Sequence, residues 1–223
     1  MSPTIGVKIC GLTEPAGLDA AIAHGADWVG FVFFPRSPRH VTPAQAAGLI
    51  ARVPTGGPRR IGLFVTPTDA AIEAVLDTTT LDGLQIYAGD ERAMAIRLRF
   101  GLPVWQARGV AAAADLPAAS RMDGLVIESR PPASADRPGG NGRAIDWTIT
   151  RGWSAPAPWI LAGGLTPDNV AEAVARSAAP AVDVSSGVES APGRKDPDLI
   201  ARFIRTARQT AAQSPAASPY QPG

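Results

Sequence analysis

Short apolar segments recur eight times along this chain, and each is followed by an amphipathic stretch or a helix-starting motif. They predict β-strands at residues 5–9, 28–34, 61–65, 83–86, 103–107, 124–128, 159–162 and 181–184. Strands that alternate with helices form parallel sheets, because each helix returns the chain to the same edge. The 223 residues divided by eight leave about 28 for each unit, which is typical of a compact (β/α)8, or TIM, barrel.

An open, doubly wound α/β sheet is the alternative architecture for such an alternation. The GxGxxG turn that would support it does not occur in the sequence, so the barrel is favoured. We expect one catalytic domain over residues 1–212. The remaining residues, 213–223, are rich in Ser, Pro, Ala and Gln and predict a disordered tail.

The composition excludes several classes of function. Lys and Arg are scattered and the net charge is +1, so no nucleic-acid partner is expected. No apolar run reaches the roughly 18 residues of a membrane span, and the N-terminus lacks the pattern of a signal peptide. A single cysteine rules out an internal disulfide, and the two histidines are too distant in sequence to indicate a structural metal site. We expect a cytoplasmic protein with a small-molecule substrate and no metal.

Cys10 is the first candidate catalytic residue, because it ends the first predicted strand and precedes Gly11. Residues two apart on a strand face the same side, so Lys8 and Cys10 should face the barrel axis. A neighbouring cation lowers the pKa of a thiol and makes the thiolate available as a base or nucleophile. The alternative is a small buried packing residue. The position at the strand end and the nearby Lys8 favour a function.

Two carboxylates should also point inward at strand ends. Glu128 ends the sixth strand, where a carboxylic acid is a candidate general acid if apolar walls raise its pKa. The alternative for Glu128 is a rim carboxylate paired with an arginine. Asp183 lies near the end of the eighth strand, where it either tunes Cys10 or has a structural role as a hydrogen-bond partner of loop amides; the structural role is slightly favoured.

Glycine-rich stretches follow the last three strands, at residues 139–142, 163–164 and 185–187. Such backbone approaches an anion closely, and in barrels the loops after strands seven and eight often bind phosphate. The second stretch also runs into a predicted helix N-terminus at Thr166-Pro167. Tight turns without a ligand are the alternative. The candidate phosphate-binding residues are Gly140, Gly142, Gly163, Gly164, Ser185, Ser186 and Gly187.

Two arginines follow the second strand, on either side of Ser37-Pro38. Arg36 and Arg39 are both able to hold an anionic substrate group, since a guanidinium binds a carboxylate through two parallel hydrogen bonds. The alternative for each is a solvated loop charge without a ligand. For Arg36 the two interpretations are about equally favoured, whereas for Arg39 anion binding is favoured.

Five segments together resemble the phosphoribosylanthranilate isomerases of tryptophan biosynthesis. They are VKICGLT (7–13), GADWVGFVFFPRSPRHV (25–41), RPGGNGRAIDW (137–147), LAGGLTPDNV (161–170) and AVDVSSGVESAPGRKD (181–196). They are in the family's order and extend over nearly the whole chain except the tail. The resemblance implies conversion of N-(5-phosphoribosyl)anthranilate to 1-(2-carboxyphenylamino)-1-deoxyribulose 5-phosphate by an Amadori rearrangement, without a cofactor.

The resemblance also implies roles for individual residues. Cys10 is the general base that removes the C2′ proton, and Glu128 occupies the position of the general acid. Arg39 matches the arginine that receives the anthranilate carboxylate. Substrate contacts are further expected from Lys8, Gln85 and Asp183, and the phosphate is expected on the glycine-rich backbone. A monomer and a homodimer both remain open.

The sequence departs from the family's pattern at two places. Glu128 replaces the usual aspartate, so its oxygens reach further by about one C–C bond, ~1.5 Å. The usual QLHG after the fourth strand reads QIYAG at 85–89, so Tyr87 replaces histidine and no role is assigned to it. An inactive or re-purposed sugar-phosphate-binding barrel is therefore the alternative. A sugar-phosphate isomerase of the histidine pathway is less favoured, because such sites use paired aspartates.

Overall fold

Eight parallel strands close into a barrel in which each strand pairs with its neighbours in sequence. The computed structural model describes residues 4–130 and 145–211. The strands are β1 (Gly6–Cys10), β2 (Trp28–Val32), β3 (Arg59–Val65), β4 (Gly83–Tyr87), β5 (Val104–Val110), β6 (Gly124–Ser129), β7 (Trp159–Leu161) and β8 (Ala181–Val184). The predicted (β/α)8 barrel is confirmed, with strand ends shifted by at most three residues.

Six α-helices are present in the described ranges of the chain. They are α1 (Pro15–Ala23), α2 (Pro43–Ile50), α3 (Asp69–Leu76), α4 (Asp90–Phe100), α5 (Val170–Ser177) and α6 (Pro197–Ala211). None of the helices in these ranges is both long and apolar enough to cross a membrane. The predicted tail at 213–223 and the phosphate candidates Gly140 and Gly142 lie outside the described residues.

The alternation of strands and helices predicts a helix in the Ala-rich stretch after β5, but only a 3₁₀ turn forms there, at Ala113–Asp115. The carboxylate of Asp115 accepts hydrogen bonds from the N–H groups of Ala111 and Ala112, which closes the turn. The next residue, Leu116, is extended with ψ of 132°. A residue before proline is forced out of the helical region, and Pro117 therefore stops the turn from growing.

A small hairpin after β8 was not predicted. A 3₁₀ turn at Ser186–Val188 leads into β9 (Glu189–Ala191), which pairs with β10 (Arg194–Lys195) in the antiparallel sense. The two strands have three and two residues, which is too short to show the alternation of polar and apolar residues by which strands are recognised. The hairpin lies at the C-terminal end of the barrel, where it contacts α1.

The barrel interior differs between its two ends. At the N-terminal end, the inward side chains form an apolar cluster that includes Trp28, Ile61 and Trp105. The rings of Trp28 and Trp105 meet edge to face at 5.3 Å between centroids. Two inward positions are glycines, and a Cβ on Gly124 would lie 3.0 Å from the Trp105 ring. The large indoles therefore fill this end because small residues face them.

Candidate active site

A cavity opens at the C-terminal ends of the barrel strands, where the enzymes of this fold have their active sites. It holds about 680 Å³ of space, part of which is open to solvent. The structure brings most of the candidate residues together in its walls: Cys10, Arg39, Gln85, Glu128, Asp183, Gly163, Gly164, Ser185 and Ser186. Apolar side chains, among them Val32, Leu63 and Leu165, form much of the remaining wall.

Cys10 ends β1 with its thiol inside the barrel, on the same face as Lys8, as the strand alternation predicts. A Cβ on Gly30 of the neighbouring strand would lie 2.8 Å from Sγ, so this glycine makes room for the sulfur. Burial raises the pKa of the thiol, and Lys8 lowers it only in part, so the pKa remains above its ordinary value of 9.0. Lys8 thus acts in the expected direction on the pKa of the thiol, but burial is the larger effect.

Lys8 and Asp183 form a buried ion pair beneath the cavity, with Nζ 3.0 Å from Oδ1. Lys8 has no exposed surface, so the structure places it under the substrate space rather than in contact with it. Burial lowers the pKa of Lys8, but the charges of Asp183 and Cys10 outweigh this effect and leave it raised. Asp183 contacts the cavity itself, and its charge acts to raise the pKa of the Cys10 thiol. The tuning role considered for Asp183 is therefore better supported than hydrogen bonding to loop amides.

Glu128 projects from β6 into the cavity and is 4% exposed. Burial raises its pKa to about 8, while a hydrogen bond from Tyr87 and the charge of Lys8 act in the opposite direction. The alternative of a rim carboxylate paired with an arginine does not apply, since its hydrogen-bond partner is the Tyr87 phenol. At neutral pH the carboxyl group thus holds a proton that it is able to donate.

Tyr87 is a site residue that the sequence did not reveal. It ends β4 and lies in the cavity wall beside Gln85, whose Nε2 is 3.4 Å from the Tyr87 hydroxyl oxygen. Gln85 is 1% exposed, and its Oε1 has no hydrogen-bond partner among the described residues. The only signal in the sequence was that Tyr87 departs from the family's histidine, in the same protein in which Glu128 departs from aspartate.

Arg39 reaches the cavity wall but is already paired with a carboxylate that the sequence did not identify. Its Nε and Nη2 bind Glu189 Oε1 and Oε2 at 2.7 and 2.9 Å. Glu189 also binds Nζ of Lys195 at 2.8 Å, and all three side chains are buried. Arg36 is exposed, which agrees with the alternative of a solvated loop charge.

The loops after β7 and β8 form the side of the cavity on which phosphate was expected. Gly163 and Gly164 have φ of +88° and +67°, a region that favours glycine, and their backbone lines the cavity. Gly187 instead packs behind the wall, where a Cβ would lie 1.8 Å from the carbonyl oxygen of Leu165. Its role is close packing of the two loops.

The predicted helix N-terminus directly after the glycine pair was wrong. Helix α5 begins at Val170, and a turn precedes it. The Asn169 side chain accepts a hydrogen bond from the Thr166 N–H at 2.8 Å and donates one to the Gly164 carbonyl at 2.9 Å. These bonds stabilise the turn, so the glycine backbone rather than the helix end faces the cavity.

Fold and site together define a (β/α)8-barrel enzyme with an acid and a thiol in one cavity beside glycine-rich loops. The family model described as N-(5′-phosphoribosyl)anthranilate isomerase matches residues 7–206. The chain belongs to this isomerase family. It is 61% identical to the N-(5′-phosphoribosyl)anthranilate isomerase of Acidiphilium cryptum, over 90% of this chain and 97% of that protein. The enzyme of that name from Rhodospirillum rubrum is 51% identical over 94% and 100%.

Solved structures of the same family have the same fold. Phosphoribosylanthranilate isomerase from Thermotoga maritima superposes with a TM-score of 0.78 at 31% identity, over 92% of this chain and 99% of that one. A second structure of such an isomerase contains reduced 1-(o-carboxyphenylamino)-1-deoxyribulose 5-phosphate. It superposes with a TM-score of 0.76 at 29% identity, with the same coverage of 92% and 99%.

Proposed function

We propose that this isomerase converts N-(5-phosphoribosyl)anthranilate to 1-(2-carboxyphenylamino)-1-deoxyribulose 5-phosphate, with Glu128 as general acid and Cys10 as general base. Glu128 donates its proton to the furanose ring oxygen, and the C1′–O bond breaks to give the ring-opened Schiff base. The Cys10 thiolate then removes the C2′ proton. The resulting enol rearranges to the ketone, and the reaction is a tautomerisation without net oxidation or reduction. Both steps are general acid–base catalysis.

One observation carries this assignment. Glu128 shares a cavity with Cys10, and its raised pKa of about 8 keeps it protonated at neutral pH. A carboxylate with an ordinary pKa would have lost the proton that ring opening requires. Since the Cys10 thiol has a pKa above 9.0, the reactive combination of thiolate and carboxylic acid is a minor protonation state of the free enzyme.

The two anionic ends of the substrate are assigned to different residues of the cavity wall. Arg39 is assigned to the anthranilate carboxylate, because its bond to Glu189 leaves part of its guanidinium free. The phosphate is assigned to the loops at Gly163-Gly164 and Ser185-Ser186. No described residue donates a hydrogen bond to Oε1 of Gln85, which suits this atom in the wall to accept one from the substrate.

The cellular setting and assembly belong to the same proposal. We place the enzyme in the cytoplasm, as a monomer or a homodimer. The isomerase of Thermotoga maritima is dimeric and monomers of it have been generated, so the fold is compatible with both assemblies.

The proposal is tested with a coupled assay in which anthranilate, phosphoribosyl pyrophosphate and the transferase supply the substrate. Loss of the fluorescent intermediate is followed for the wild type, Cys10→Ala and Glu128→Ala. Each variant should lower kcat by about 100- to 10,000-fold, which is typical for removal of a general acid or base. An inert wild type that still binds the reduced product analogue would instead favour a re-purposed binding barrel.

Glu128→Asp is the informative companion variant. It restores the family's usual acid, and we expect it to keep activity. If Glu128→Asp is as inactive as Glu128→Ala, the barrel is fitted to the longer side chain, since misplacement of about 1 Å can cost ~100-fold.

A further inference from the structure

Arg39 has more hydrogen-bond donors than Glu189 uses. A guanidinium has five N–H bonds, and Glu189 occupies the edge formed by Nε and one hydrogen of Nη2. No described residue uses the edge formed by Nη1 and the second hydrogen of Nη2, so this edge is open to another carboxylate. The chain around Arg39 is also confined, because a Cβ on Gly11 would lie 2.5 Å from Arg39 Cδ. Glu189 and Gly11 together fix the direction in which the free edge points.

Lys195 is the second cation on the same carboxylate. Its Nζ donates to Glu189 Oε1 at 2.8 Å, to the Ser185 carbonyl at 2.9 Å and to Ser185 Oγ at 3.3 Å. An ammonium group has three donors, so all of them are used within the protein. The Ser185 hydroxyl in turn donates to the carbonyl of Cys10 at 3.1 Å. Lys195 therefore fixes the loop after β8, and it has no donor left for a phosphate oxygen.

The hairpin that carries Glu189 fits closely against the loop that carries Arg39. Gly193, between β9 and β10, has φ of +81°, and a Cβ there would lie 2.3 Å from the Pro38 carbonyl oxygen. Its N–H donates to Glu189 Oε2 at 3.2 Å, and its carbonyl accepts from Thr13 Oγ1 at 2.8 Å. The hairpin is thus held from both sides, and Glu189 is a rigid connection between two loops that are distant in sequence.

From this geometry we infer that Glu189 is a positioning residue for both ends of the substrate. It orients Arg39 toward the substrate carboxylate, and through Lys195 it fixes Ser185 in the loop assigned to the phosphate. The inference rests on the proposed substrate. The binding of substrate fragments is therefore measured without turnover. Fragment affinity reports on Glu189 even if the proposed reaction is wrong.

The test is Glu189→Gln, which keeps the shape of the side chain and removes its charge. Anthranilate and inorganic phosphate are used as separate probes, and their dissociation constants are measured by calorimetry. If Glu189 positions both sites, the variant should bind each probe about tenfold more weakly, because charge-assisted hydrogen bonds are lost. If Glu189 only reduced the positive charge, its removal would tighten both anions. An unchanged or tighter constant for either probe overturns the inference.

Two further measurements separate positioning from loss of structure. KM should rise about tenfold while the pH dependence of kcat stays unchanged, because Glu189 does not contribute to the raised pKa of Glu128. The matched control is Glu73→Gln, which breaks an exposed pair with Arg99 and should change neither constant. If Glu189→Gln does not fold, Lys195→Met takes its place. It should weaken phosphate alone, and a loss of anthranilate binding in Lys195→Met would contradict the described connection.

Discussion

The two ends of the barrel interior are built from the same eight strands but differ in chemistry. At the N-terminal end, Trp28 and Trp105 fill the barrel with apolar area and face glycines on the neighbouring strands. At the C-terminal end, the inward positions hold Lys8, Glu128 and Asp183, which are all buried. Burial of charge costs free energy that burial of an indole supplies. One end therefore stabilises the fold, and the other end is able to hold destabilising groups.

A substitution in the apolar end of the barrel should change the protein most. Trp105→Ala should lower the free energy of unfolding by about 3–5 kcal/mol, since it leaves a cavity in a packed layer. The catalytic constants of the folded protein should change little, because Trp105 lies at the end away from the cavity. Urea unfolding and steady-state kinetics on the same preparation check both parts. A large rise in KM without loss of stability would contradict the assignment of stability to the apolar end and of substrate binding to the polar end.

A second prediction concerns the cost of Glu128 at the polar end. Below about pH 4.5 the carboxyl group is protonated in both the folded and the unfolded chain. Between 4.5 and about 8 only the unfolded chain loses the proton, so the wild type loses stability as the pH rises. Glu128→Gln does not ionise and should be more stable than the wild type by an amount that grows to the order of 4 kcal/mol.

This stability difference is measured by chemical unfolding at several pH values between 4 and 8.5. Glu73→Gln on the exposed surface of α3 is the matched control, and its effect should stay within about 1 kcal/mol at every pH. A Glu128→Gln difference that does not change with pH would show that the folded carboxyl group has an ordinary pKa. In that case Glu128 would be ionised at neutral pH and would have no proton to donate.

Removal of the Tyr87 hydroxyl, which binds Glu128, should have the mildest consequences. Its hydrogen bond lowers the pKa of Glu128, so Tyr87→Phe should raise that pKa above about 8. Because the thiol has the higher pKa of the two groups, kcat/KM should rise with pH until it levels near the pKa of Glu128. In Tyr87→Phe this break should move to higher pH, with rates reduced by up to about tenfold. A break that stays in place or moves to lower pH would exclude Tyr87 as the partner of Glu128.

Much of the site followed from the alternation of side chains along strands. That rule correctly directed Lys8, Cys10, Glu128 and Asp183 inward, because the outward neighbours in each strand are apolar and meet the helices. The depth of burial was not contained in that rule. The net direction of the Cys10 pKa could not be predicted for this reason, since burial raises it and the neighbouring cation lowers it.

The connections between loops could not be predicted from the sequence. Arg39 and Glu189 are 150 positions apart, and their contact depends on how the loops after β2 and β8 meet. Nothing in the local pattern distinguishes Glu189 or Lys195 from solvated polar residues. Similarly, Thr166-Pro167 had the composition of a helix start, but the Asn169 side chain binds the Thr166 N–H and the helix begins later.

The order of the two pKa values in the shared cavity has a consequence for repeated turnover. In the proposed mechanism, Cys10 has gained a proton and Glu128 has lost one after each reaction. This is the more stable arrangement in the free enzyme, because the thiol holds its proton more tightly than the carboxyl group does. Each new cycle must therefore return a proton from sulfur to oxygen against this preference, directly or through solvent. Regeneration of the enzyme after product leaves is thus a step in its own right, which a solvent deuterium isotope effect on kcat would report.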